Sequence, residues 1–344
     1  MKFLTISKKT IFMLCALLFS VTAWGQTLST EPGNENTPGS ADNPYLISSA
    51  EDWGKLATDV AGGYSYEGKV IKLTANVTTG SVDEQGNITN GTMIGTNTNK
   101  FSGTFNGDGH TLTFYYDVPE YADDCFAPFR YTDGASFTRL TICGKIDSRF
   151  GDPVAGLIGN NTNTTSVSEV IVSMILKDME GANNCGGFVS NGCGVIFNDC
   201  LFNGSFSSQG NCCGGFCGLG DVSTTLNNCL YNPYASEFWG DNFVYTTDSN
   251  FGDENLVSCY YTEGQEGGFG YESTQGVLAY TLIPDNKIGH YEITVINTRV
   301  YTDAKIELFG VENEYLYDTD ETISLDVPYS VMTPFPKIRR VGVW

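Results

Sequence analysis

The sequence predicts an all-β chain whose middle is a right-handed parallel β-helix, with a capping helix before it and a small antiparallel β unit after it. Three observations predict this. Short glycine-marked anchors recur about every 30 residues, each followed half a period later by a second apolar strand. The 344 residues include 40 glycines, with Asn, Thr and Ser abundant around them, so turns are frequent. Only one segment carries the 3.6-residue periodicity of an amphipathic helix.

Residues 1–25 read as a secretory signal peptide. Lys2, Lys8 and Lys9 precede the apolar run Ile11 to Val21, and Ala23-Trp24-Gly25 places small residues where a signal peptidase cuts. The run is too short to span a bilayer, and no later stretch is long and apolar enough to do so. Cys15 lies inside the run rather than at the cut, which argues against a lipid anchor. The expected address is therefore outside the cytoplasm: extracellular, on the outer surface, or in a periplasm. Residues 26–43, rich in Thr, Asn, Gly, Pro and Ser, read as a flexible leader.

The β-helix is expected over 44–275. Pro44-Tyr45-Leu46-Ile47 is a short strand, and Ser48 with Glu51 forms a capping box. Trp53, Leu56, Ala57 and Val60 then mark one face of a helix over about 49–60, stopped by Gly62-Gly63. Since the first layer of a stack has no neighbour, this helix is the candidate cap. Alternating strands follow at 69–73, 101–105 and 110–114, the last two separated by the turn Asn106-Gly107-Asp108-Gly109.

Four anchors carry the repeat: Cys125-Phe126-Ala127-Pro128-Phe129, Val154-Ala155-Gly156-Leu157-Ile158, Cys185-Gly186-Gly187-Phe188-Val189 and Cys213-Gly214-Gly215-Phe216-Cys217. Their starts, at Cys125, Val154, Cys185 and Cys213, keep nearly the same step throughout. The companion strands run over 137–142, 167–175, 195–202 and 226–231, with Cys200 and Cys229 in register. Stacking would set Leu157, Phe188 and Phe216 in one inward column, and Gly and Asn would take left-handed angles at the corners. Residues 232–258 break the pattern and read as an insertion. From 276 to 344 glycine thins and strands lengthen, which reads as a separate antiparallel β unit.

Eleven cysteines are present, ten of them beyond the signal peptide. Two readings stay open: disulfides, as export permits, or thiols stacked as small buried hydrophobes. Cys213 and Cys217 have C-x3-C spacing, but no second pair completes a zinc site.

Gly156-Leu157-Ile158-Gly159 matches the core of the GLUG-motif repeats of secreted and surface bacterial proteins, many from Bacteroidetes. Gly215-Phe216-Cys217-Gly218 is a looser copy, and Gly187-Phe188-Val189 looser still, with Ser190 in place of the second glycine. The stretch 94–112 is similar to the segment that precedes such repeats, and 44–57 to their lead-in. Over 44–231 the chain therefore resembles that family. The resemblance implies a right-handed β-helix on an exported, adhesin-like protein, with Gly156, Leu157, Gly159, Gly187, Phe188, Gly215 and Phe216 as structural anchors. It implies no catalytic residue.

A net charge of −22 repels phosphate backbones and polyanionic glycans, so neutral glycan or a host protein is the expected partner, and nucleic acid is not. Arg130, Arg139, Lys145 and Arg149 are the basic residues a lyase would draw on, but they scatter without a matching acid cluster. His110 and His290 are the only histidines and lie far apart along the chain. Asp248, Asn250 and Asp253 crowd one loop without EF-hand spacing. No cofactor or metal is expected. The aromatics Tyr234, Phe238, Trp239 and Tyr245 are the candidate ligand-binding group, because ring faces stack on sugars; the competing reading is a satellite core. The sequence thus favours a non-catalytic binding or adhesion module. A polysaccharide lyase or glycosidase on the same scaffold, or a surface-layer component, stands as the alternative.

Overall fold

The computed structural model describes residue 28, residues 38–261 apart from 121, 123, 179, 193, 211, 234, 238 and 239, and the strand segments 271–272, 288–295, 305–308, 311–314 and 321–328. Over 45–261 the strands stack in parallel, each coil pairing in register with the next, apart from one short antiparallel hairpin at 81–82 and 88–89. This is the parallel β-helix that the repeats predict.

The register produces inward columns. On the first face, Tyr45, Ile71, Phe105, Phe137, Val167, Phe197, Leu226 and Leu256 lie directly over one another. On the second face the column is Val77, Leu112, Ile142, Val172, Phe202, Tyr231 and Tyr261. On the third it is Ile94, Phe129, Ile158, Val189, Cys217 and Val244. All of these are buried in one continuous core. No coil can bury its inward side chains alone, so stacking is what removes them from water.

Leu157, Phe188, Phe216 and Phe243 form the anchor column. The amides of Leu157, Phe188 and Phe216 each donate to the carbonyl of the next, and the Phe188 and Phe216 rings stack with centroids 4.5 Å apart. The anchor glycines are required by close approach. A Cβ on Gly187 would run into the carbonyl oxygen of Gly215 and lie 2.9 Å from Phe202 Cδ2. One on Gly215 would meet the carbonyl of Asn242 and come within 2.7 Å of the Tyr231 ring. Gly156 stands against the carbonyl of Gly187 in the same way, and a Cβ on Gly159 would lie 2.6 Å from Arg130 O and from Cys125 Sγ. The first pair of anchors is out of step: Phe129 pairs with Ile158, yet Phe126, not Cys125, bridges to Val154. The second anchor therefore holds one extra residue.

The corner between the first and second faces departs from expectation. The left-handed positions are Asp108, Arg139, Glu169, Asp199, Asn228 and Ser258, at φ of 49° to 55°. Glycine fills none of them and asparagine only one. Their half-buried side chains pair across the coils: Asp108 with Lys72 and Arg139 of the coils on either side, and Asn228 Nδ2 donates to Asp199 Oδ1. The residue after each corner turns inward, giving the column Cys200, Cys229 and Cys259, all buried. Each thiol donates to the carbonyl two residues upstream, at 3.2 to 3.4 Å. Nine described cysteines are free; seven are buried, as the stacked-thiol reading has it, Cys143 and Cys212 are half-exposed, and Cys193 lies outside the described residues.

Helix α1 spans Ala50–Ala61. Its N-cap is Ser49 rather than Ser48, with Asp52 rather than Glu51 closing the box: Ser49 Oγ accepts from Asp52 N, and the Asp52 carboxylate accepts from Ser48 N and Oγ. Trp53, Leu56, Ala57 and Val60 are buried. The Trp53 indole packs edge-on against Phe105 and Phe129, and its Nε1 donates to Thr92 O at 2.7 Å. Rings from the first and third faces thus meet the helix, which covers the start of the stack.

Residues 232–258, set apart by the sequence as an insertion, instead supply strands in register. Ala235–Glu237 pairs with Ser205–Ser207, Gly240–Asp241 with Cys213–Gly214, and Leu256–Val257 with Leu226–Asn227. The disguise is compositional: Asp241-Asn242-Phe243 stands where Gly214-Gly215-Phe216 stood one coil earlier, keeping the register and the Phe but not the Gly-Gly. Toward the C-terminus, 288–295 pairs antiparallel with 321–328, and 305–308 with 311–314. No helix among the described residues is long and apolar enough to cross a membrane.

Candidate functional site

The third face carries a polar cleft of about 310 Å³. Register builds it: Tyr131, Asn160 and Asn191 sit over one another, pointing outward between the buried residues of strands 129–132, 158–161 and 189–192. Asp124, Asp152 and Asn184 close it from the turns that lead into those strands.

The two acids of the cleft are committed to structure. Asp152 is fully buried, and its oxygens accept from the amides of Ala122 at 3.0 Å and Asp124 at 3.2 Å. The Asp124 carboxylate pairs with the Arg130 guanidinium, accepts from the Tyr131 hydroxyl and caps Cys125 N. Arg130 is held in turn by Cys125 O at 3.1 Å and lies over the Phe126 ring. Burial pushes the Tyr131 phenol up, with the bond to Asp124 adding to it. Burial likewise pushes the Cys125 thiol up to about 12, so it is no nucleophile near neutral pH. The amides of Asn160, Asn184 and Asn191 spend no side-chain hydrogen bond on the described residues. Each offers donors and an acceptor to whatever enters.

Of the aromatic group singled out by sequence, Tyr234, Phe238 and Trp239 lie outside the described residues. Tyr245 is half-buried at the edge of the third face, where its amide donates to Cys217 O at 3.0 Å. A hydrogen bond with the Cys212 thiol is the main cause that raises its phenol. The four basic residues are each paired: Arg130 with Asp124, Arg139 with Asp108, Lys145 with Asp147 and Arg149 with Asp117. Asp248 closes an Asx-turn onto Asn250, and no cluster of metal-ligating side chains occurs among the described residues. Asn160 and Asn191 escaped the sequence reading because single asparagines in a chain full of them carry no signal until register stacks them.

No family model matches the chain, and no curated protein does. A solved structure of a candidate immunoglobulin A1 protease from Bacteroides ovatus matches over 68% of this chain and 83% of its own, at 13% identity and a TM-score of 0.35. A likeness of that degree carries no argument about activity. The fold therefore rests on the register of this chain's own strands.

Proposed function

We propose that this chain is an exported, surface-associated binding module that takes a neutral sugar in the cleft of the third face. The observation that supports the reading is the division of labour within the cleft. Its carboxylates are spent on backbone amides and Arg130, whereas three of its four asparagines, Asn160, Asn184 and Asn191, make no side-chain hydrogen bond to the described residues. Amides pair with hydroxyls in both directions, as donor and as acceptor. A cleft bordered by two acids in a chain of net charge −22 repels uronates and sulfated sugars. Burial of a sugar ring's C–H face against Tyr131 adds the apolar contact that such sites use.

A neutral glycan array followed by calorimetry tests this. Wild-type protein should bind at least one neutral oligosaccharide, and Asn160→Ala with Asn191→Ala should weaken that binding at least tenfold with the melting temperature unchanged. Silence across the array overturns the reading. So does release of reducing or unsaturated ends from a polysaccharide panel, which would make the chain an enzyme.

A further inference from the structure

The second face carries side chains that are buried outside the core. Val170 and Val172, Cys200 and Phe202, and Cys229 and Tyr231 all belong to the core. Strand alternation then turns the residue between each pair outward, and these three, Ile171, Leu201 and Leu230, are not part of the core. Register stacks them in one column, with Thr141 before them and Tyr260 after. Outward apolar side chains elsewhere on the stack meet water: Ile175, on the same strand as Ile171, is 40% exposed, Ile196 36% and Val257 55%. Ile171, Leu201 and Leu230 are only 3%, 5% and 2% exposed. Pairing with the coils on either side covers their edges and not their outward side, so a further layer lies on this column.

We infer that this layer is the antiparallel strand pair 288–295 and 321–328 of the same chain, docked on the second face. The register of that pair sets Tyr291 opposite Leu325, Ile293 opposite Ile323 and Gly289 opposite Val327, with Val295 and Glu321 ending the row. His290 opposite Asp326, Glu292 opposite Ser324 and Thr294 opposite Thr322 fall on the other face of the pair. One face is therefore apolar by sequence and the other polar. Two strands alone cannot bury such a face and are marginal in water until something packs on it. The column and the strand pair each supply what the other lacks, and sheets packed face to face about 10 Å apart satisfy both. The other pair, 305–308 with 311–314, offers a shorter apolar row, broken by Asn313. Position agrees as well. The column is threonine at Thr111 and Thr141 and aliphatic only over the coils nearest the end from which the chain leaves the stack. The link 273–287 reaches up to about 50 Å when extended, and the column climbs only about 14 Å from Ile171 to Tyr260. The cleft lies on the third face and takes no part in this docking.

Photo-crosslinking of the full chain tests the inference. A benzoylphenylalanine replacing Leu201 should link to peptides from 288–328, and one replacing Ile196 on the first face should not. Links from position 201 to any other segment of the chain or to a second copy overturn it, as does an absence of links there. A milder change keeps the test open if the bulky group disturbs the stack. Leu201→Asp with Leu230→Asp leaves the strand pair's own sequence intact, yet should speed proteolysis within 288–328 roughly tenfold or more while the circular-dichroism signal of the strands is retained. Cleavage there at the wild-type rate overturns the inference.

Discussion

Replacing Gly187 with alanine adds one methyl group, and the fold leaves no room for it. The new Cβ would run into the Gly215 carbonyl of the next coil and lie 2.9 Å from Phe202 Cδ2. The carbonyl is backbone and cannot rotate away, and the coils are tied there by Gly187 N donating to Gly214 O at 3.1 Å. Relief requires the two coils to separate locally, stretching that bond and parting the Phe188–Phe216 stack beside it. Overpacking of this kind costs about 1–3 kcal/mol, and the immovable partner places Gly187→Ala at the upper end, about 3 kcal/mol. The control is Gly54→Ala in α1, where a Cβ meets nothing within 4 Å and helix propensity should stabilise by about 1 kcal/mol. Urea unfolding followed by far-UV circular dichroism reads both. With a slope of about 3 kcal/mol per molar, Gly187→Ala should lower the midpoint by roughly 1 M while Gly54→Ala raises it slightly. Equal midpoints for the two variants would refute the stacking of Gly187 on Gly215.

Other consequences are as direct. Trp53→Ala removes the ring that covers Phe105 and Phe129, so it should cost about 3–5 kcal/mol and increase binding of an apolar dye; unchanged dye fluorescence contradicts the capping role of α1. Burial raises the carboxyl of Asp178, whose oxygens accept from Ala182 N and Ser208 Oγ. A folded pKa above the unfolded one makes the protonated form the stabilised one, so this contribution is full below the unfolded value and is lost as pH rises through the folded value. Wild type minus Asp178→Asn stability should therefore grow as pH falls from 7 toward 4, and a difference that shrinks instead contradicts the burial. Alkylation of folded protein with peptide mapping should label the half-exposed Cys212 first and the half-exposed Cys143 more slowly, because burial raises the Cys143 thiol. Cys200, Cys229 and Cys259 should react only after denaturation, and early labelling at that column would contradict it.

The columns were legible in the sequence wherever like residues repeat at like spacing. Phe188 over Phe216 and Cys200 over Cys229 are visible as text because the stack demands the same shape in each layer. Legibility fails where different residues solve the same steric problem. The left-handed corner is one case: Arg139, Glu169 and Asp199 accept a strained backbone that costs on the order of 1 kcal/mol each, and hold outward charges there instead of the expected glycine. The coil over 232–258 is another, since Phe243 fills the anchor column without a Gly-Gly in front of it. The helix cap slipped by one residue because Ser48 and Ser49 are adjacent and both Glu51 and Asp52 can answer. The cleft was out of reach for a different reason. Its asparagines come from separate coils, and only the register of strands in successive coils brings Tyr131, Asn160 and Asn191 together.

The account depends on each coil laying its strands directly above those of the coil before, and distance along a single outward column measures this. Spin-label pairs on engineered cysteines, with Cys143 and Cys212 replaced by serine, can be placed at Asn227 with Thr138, Asn106 or Lys72, which lie three, four and five layers away in the same column. At about 4.8 Å per layer the separations should rise in equal steps, to roughly 14, 19 and 24 Å. Separations that fail to increase in that order, or that jump unevenly between layers, would contradict the stack.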